Sequence, residues 1–122
     1  MAGKTICILG GGSGGLVVAN ILKKELSGEH RIVLIDKESY HLFNPSLLWL
    51  MVGWRRPEQM KKDLSILKSK GIDFIQAEVN GIDFDKQTVL TSAQNIQYDY
   101  LVVSLGADLY PEKIAGFKEG AY

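Results

Sequence analysis

The stretch Ile6-Cys7-Ile8-Leu9-Gly10-Gly11-Gly12-Ser13-Gly14-Gly15 decides the fold of this 122-residue chain. Four apolar residues read as a buried strand, G-x-G-x-x-G follows at once, and Leu16, Ala19, Leu22 and Leu26 then recur at helical spacing. In a strand that turns through such a loop straight into a helix, Gly10 makes the tight turn, the backbone at Gly12 can approach a pyrophosphate, and Gly15 lets the helix close onto the sheet. The anion meets the free amides of the first helical turn, at Ser13 and Gly14, where the helix dipole is positive.

Beyond the helix, Ser27-Gly28 supplies a stop, and Arg31-Ile32-Val33-Leu34-Ile35-Asp36 reads as a second buried strand with an acid at its end. Asp36 stands 21 residues beyond Gly15, where a dinucleotide site places the acid that accepts hydrogen bonds from the adenosine ribose. With 13 glycines in the chain, a loop kept only for strand–helix packing is the alternative, and the acid at this spacing favours the dinucleotide site.

Composition narrows the class. Residues 1–122 are of single-domain length, and 46% hydrophobic residues suffice for a core. Lys+Arg and Asp+Glu are both 14, so there is no basic footprint for nucleic acid, and Arg55-Arg56 and Lys61-Lys62 read as solvated edges. The longest apolar stretch, Leu47 to Val52, is six residues, far short of the roughly 20 that span a bilayer as a helix. Met1 to Lys4 lead directly into the first strand without the longer apolar core of a signal peptide, so a cytoplasmic protein is expected. The single cysteine, Cys7, excludes an internal disulfide, and its place in mid-strand makes it a small core hydrophobe. No metal site is expected.

From Lys37 to Arg56 the periodicity breaks. Tyr40-His41-Leu42-Phe43-Asn44-Pro45 leads into the apolar run and then Gly53-Trp54-Arg55-Arg56, a segment too apolar to leave in water and expected to cover the core, a cofactor or a partner. His41 reads as a packed or hydrogen-bonded imidazole rather than a proton relay, and His30 as solvated. Pro57 at a first helical position, Met60, Leu64 and Leu67 on one face and Gly71 as a stop predict a helix over Pro57 to Lys70. Asp73 to Ala77 reads as a third parallel strand, and the runs from Val79 to Tyr98 as an antiparallel meander. Tyr100-Leu101-Val102-Val103-Ser104-Leu105 reads as a buried strand returning to the sheet, ended by Gly106.

This order, together with Tyr98-Asp99-Tyr100-Leu101-Val102-Val103-Ser104-Leu105-Gly106, resembles the FAD half of two-dinucleotide flavoproteins, which usually read YDYLVxATG at that point. More narrowly, Tyr40 to Pro45 followed by Gly53-Trp54-Arg55 is similar to the Y-x-x-F-x-P and G-W-R of the sulfide:quinone reductases, within the FAD-dependent pyridine nucleotide-disulfide oxidoreductase superfamily. The resemblance runs over essentially the whole chain. It implies an α/β, Rossmann-like three-layer FAD-binding domain, here partial, with a parallel sheet and an antiparallel β-meander insertion. It also implies that Gly10, Gly12, Ser13, Gly14 and Gly15 line the pyrophosphate and that Asp36, with Lys37 beside it, holds the ribose. Asn44 and Pro45 would lie toward the flavin, Val79 would meet adenine through its backbone, and Ser104 to Gly106 would close over the middle of the cofactor. Leu105 departs from the usual threonine, so any hydrogen bond made by that hydroxyl is absent.

Members of that family are several times longer, and they need a cysteine to accept sulfide sulfur. Beyond Cys7 this chain offers none, so the expectation is an amino-terminal portion that holds FAD and does not catalyse by itself. The parent would pass electrons from sulfide through FAD to a quinone at the inner membrane face. A portion of a type II NADH:quinone or other pyridine-nucleotide reductase, and a non-enzymatic nucleotide-binding or oligomerising module, remain alternatives. Without the rest of a parent, the segment Leu47 to Trp54 would be exposed and would favour self-association.

Overall fold

Alternation along the first two strands sorts the interior into two halves, one on each face of a central sheet. The computed structural model describes residues 3–26 and 28–120. β1 (Thr5–Leu9) turns through the glycine loop into α1 (Ser13–Glu25), and β2 (Arg31–Asp36) follows. β3 (Tyr40–Leu42), the short helix α2 (Leu47–Met51) and β4 (Lys61–Asp63) come next, and then β5 (Asp73–Gln76). The strands β6 (Val79–Asp83), β7 (Thr88–Thr91) and β8 (Ile96–Gln97) precede β9 (Tyr100–Val103), and α3 (Phe117–Gly120) comes last.

The central sheet is parallel throughout, in the order β5-β2-β1-β9. This is the dinucleotide-fold order, in which the chain crosses back beyond β1 and leaves a crevice at the carboxyl ends of the strands. One face of the sheet packs Ile6, Ile8, Ile32 and Leu34 against Ala19 of α1 and against Leu64, Leu67 and Ile72. The other packs Cys7, Leu9, Val33 and Ile35 against Val89 and Ile96 of the meander β6-β7-β8 and against Tyr98 just after it. Both strand runs read as continuous hydrophobes because both faces are covered. The result is the expected three-layer, Rossmann-type α/β arrangement.

Three sequence expectations are corrected. The helix over Pro57 to Lys70 is instead a 3₁₀ turn (Pro57–Met60), the strand β4, and a run of 3₁₀ turns (Leu64–Lys70). β4 pairs antiparallel with β3, and Asp63 caps the next segment by accepting from Ser65 N at 2.7 Å. Met60, Leu64 and Leu67 are buried as the spacing implied, because an extended link and 3₁₀ turns deliver the same side chains to the core. The returning strand, β9, stops at Val103 and lies at the sheet edge, with only β1 beside it, so Tyr100 is 62% exposed rather than buried. His30 is not merely solvated, since its Nδ1 accepts from Lys4 N at 3.1 Å. The stop at Ser27 lies outside the described residues; α1 closes at Leu26, whose amide donates to Leu22 O at 2.9 Å.

Two apolar surfaces have no cover among the described residues. No residue of α2 is buried, and Leu48, Met51 and Trp54 are 68%, 78% and 77% exposed. Between α1 and β9 runs an apolar groove of about 600 Å³ lined by Ile6, Val18, Leu22, Leu26, Tyr100 and Val102. No described helix is long and apolar enough to cross a membrane.

Candidate functional site

The carboxyl ends of β1 and β2 carry the site. Gly10 has φ +99°, a conformation that favours glycine, and its amide donates to Ile35 O at 2.8 Å, which ties the loop to β2. A side chain here would collide with the carbonyl of Ser104, and one at Gly15 would collide with the carbonyl of Gly10, so these two glycines are required by packing. Gly12 differs. A Cβ there would meet no atom within 4 Å.

Gly12 is the N-cap of α1, and the first bond of the helix runs from Leu16 N to Gly12 O at 3.0 Å. The amides before Leu16 have no carbonyl one turn behind them, no side chain caps this end, and the first turn holds no acid. A 13-residue helix therefore presents its positive end, at Ser13 and Gly14, uncompensated.

Asp36 is half-buried beside this loop. Its Oδ2 accepts from Gly11 N at 2.6 Å and its Oδ1 from Glu38 N at 2.8 Å, and each oxygen keeps a lone pair for a further donor. The carboxylate borders two hollows. One, of about 250 Å³, is lined by Gly10, Asp36, Lys37, Val79 and Leu105. The other, of about 280 Å³, is lined by Gly11, Gly12, Asp36, Tyr40, His41 and Asn44.

The structure thus gathers Gly10, Asp36, Lys37 and Val79 around one hollow and Gly12, Asp36 and Asn44 around the other. Pro45 sits exposed one residue beyond Asn44. Ser104 is turned the other way, its amide and its Oγ both donating to Leu9 O at 2.8 Å, so its hydroxyl fastens β9 to β1. Gly106, with φ +77°, has open space around it. Sequence reading left out Gly11 and the partner of His41. The imidazole Nδ1 lies 3.0 Å from Gly11 O, a contact set by the pairing of β3 with β4 that no local pattern announces.

Residues 4–122 match the family model described as pyridine nucleotide-disulphide oxidoreductase. The chain belongs to that family. Among curated members, it is 38% identical over 108 residues to the sulfide-quinone reductase of Aquifex aeolicus, a match covering 87% of this chain and 25% of that protein. It is 35% identical over 121 residues to a type II NADH:quinone oxidoreductase of Staphylococcus aureus, covering 98% of this chain and 30% of the relative. The crystal structure of the sulfide:quinone oxidoreductase from A. aeolicus superimposes with a TM-score of 0.79 at 34% identity, over 88% of this chain and 25% of that one. The chain therefore spans about a quarter of the length of these family members.

Proposed function

We propose that this chain binds FAD by its adenosine and pyrophosphate half, as the nucleotide-gripping portion of a sulfide:quinone oxidoreductase-like flavoprotein. One observation carries the reading. Of the three motif glycines, Gly10 and Gly15 are explained by contacts within the chain, whereas Gly12 faces open space at an uncapped helix end. A glycine that its own protein does not require is explained by close approach of a ligand, and an anion is the ligand this helix end favours. In this assignment Gly12, Ser13 and Gly14 take the pyrophosphate, Asp36 the ribose, and Lys37 and Val79 the adenine side. Gly106 leaves its backbone accessible along the cofactor, and Asn44 marks the path toward the flavin.

FAD, when bound, would supply the two-electron chemistry of the parent, which oxidises sulfide and reduces a quinone at the inner membrane face. The described residues bind and orient; they do not react. Cys7 is fully buried, and burial pushes its thiol up to about 11, the opposite of what a sulfur-accepting thiolate needs. The likeness to a type II NADH:quinone oxidoreductase over 121 residues favours a second reading, in which the same grip serves a nicotinamide-dependent parent.

The test is a flavin titration. The parent chain should quench flavin fluorescence saturably, and Gly12→Val should bind FAD at least tenfold more weakly with only the small fall in thermal midpoint that a poorer N-cap costs, since a Cβ there meets nothing. Gly15→Ala should instead lower the thermal midpoint, because its methyl group meets the Gly10 carbonyl. Equal FAD affinity in Gly12→Val and the parent would overturn the pyrophosphate assignment.

A further inference from the structure

We infer that His41 is a positioning residue for the glycine loop, fixing the orientation of the Gly11–Gly12 peptide so that the Gly12 amide is held ready for a nucleotide phosphate. This deepens the FAD reading above and rests on it.

Both polar groups of Gly11 are held by side chains from different elements. Its amide donates to Asp36 Oδ2 at 2.6 Å, and its carbonyl lies 3.0 Å from His41 Nδ1. A carbonyl only accepts, so the imidazole must carry a proton on Nδ1 and donate it. The carbonyl of Gly11 and the amide of Gly12 belong to one planar trans unit and point in opposite directions. Holding that oxygen therefore turns the Gly12 N–H away from the imidazole and keeps it there.

A clamp is needed at this point. The peptide is flanked by two glycines, which leave both adjoining torsions free of the restriction a Cβ imposes. No helix bond fixes it either, because the first bond of α1 uses the Gly12 carbonyl and not its amide. The clamp itself is anchored at both ends of β3, which pairs His41 with Lys62 of β4. Phe43 N donates to Met60 O and Leu64 N to Ser39 O, both at 2.9 Å. Leu64, buried to 2% exposure, backs Gly11 so closely that a Cβ on that glycine would stand 2.8 Å from its Cδ1. The loop is thus packed on one side, bonded on two, and open at Gly12.

Variants at His41 separate this role from simple packing. The side-chain nitrogen of asparagine falls where Nδ1 of histidine lies, whereas that of glutamine falls one bond further out, near Nε2. His41→Asn should therefore keep the affinity of the chain for ADP and FAD within about twofold. His41→Gln and His41→Leu should each weaken both ligands about five- to tenfold, the range for one lost hydrogen bond. Nitrogen-15 NMR of the unmodified, ligand-free chain should show the neutral His41 ring protonated at Nδ1, and this readout needs no variant to fold. Leucine or glutamine variants that bind ADP like the parent, or a ring protonated at Nε2 alone, would overturn the assignment of His41 while leaving the nucleotide site standing. A parent chain that binds neither ADP nor FAD would overturn the nucleotide reading and the inference with it.

Discussion

At the residue scale, the glycine loop shows how one motif mixes two kinds of requirement. Gly10 and Gly15 answer to the backbone of the chain itself, and Gly12 to what approaches from outside. The motif was legible in the sequence as a unit, and the requirement at Gly10 was not, because it depends on Ser104, which is 94 positions beyond Gly10 and reaches it only through the pairing of β9 with β1. Cys7 was legible outright, since a thiol in the middle of an apolar run between covered faces has no access to water. Its raised pKa makes a prediction with a definite sign. The folded chain holds the thiol proton up to about 11, whereas the unfolded chain releases it from its ordinary value of 9.0. The stability contributed by the protonated thiol is complete below pH 9 and is lost as pH rises through 11, by about 1.4 kcal/mol per unit of difference. Urea melts from pH 8 to 11 should show this decline in the parent and a shallower one in Cys7→Ala, and a thiol reagent should label Cys7 only on unfolding.

At the element scale, sequence reading succeeded where a strand or helix has one dominant environment. β1, α1, β2 and β5 stand where the pattern put them, because a continuous apolar run or a helical stripe corresponds to one kind of burial. It failed between Pro57 and Lys70, where the i, i+4, i+7 spacing of Met60, Leu64 and Leu67 is satisfied by turns and a strand, and pairing with β3 overrides local preference. The edge position of β9 was illegible because Leu101-Val102-Val103 looks the same with one neighbouring strand or two. That edge is fastened at its start by Asp99, whose carboxylate accepts from Lys4 Nζ and from Thr5 N, both at 2.8 Å. These bonds hold Asp99 below the usual carboxylate range, with Lys4 the larger cause. The tie is therefore complete above the ordinary carboxylate pKa and is lost as pH falls through the lowered one. Asp99→Asn should lower amide protection factors in β9 at neutral pH more than in β2, and acidification through the lowered Asp99 pKa should do the same to the parent. An equal change of exchange in both strands on mutation would contradict this role.

At the scale of the whole molecule, the fold is complete on the faces of β1 and β2 and open elsewhere. The groove between α1 and β9 and the α2 segment are two separate apolar surfaces, each a cluster of hydrophobes rather than single scattered ones. Arg55 already lies over the Trp49 ring at 4.9 Å, while Trp54 beside it stays uncovered. The sequence signalled that Leu47 to Trp54 needs a cover, and the fold places no described element over it. We expect the chain to self-associate through this segment: sedimentation velocity over a concentration series should show a rising weight-average mass, and Trp54→Ser combined with Leu48→Ser should lower it without shifting the thermal midpoint. An unchanged mass in the double variant would overturn association through this segment.

The parallel pairing of β1 with both β2 and β9 also has a consequence for the order of events during synthesis. β1 leaves a ribosome well before β9, since Asp99, which Thr5 bonds, lies 94 residues further along the chain. At ordinary elongation rates this inner strand of the sheet waits about 5–20 s with one side unpaired. During that interval Ile6, Cys7, Ile8 and Leu9 have β2 on one edge and nothing on the other. One of the two inner strands of the finished sheet is thus open along one edge to nascent-chain binding factors until β9 has been made.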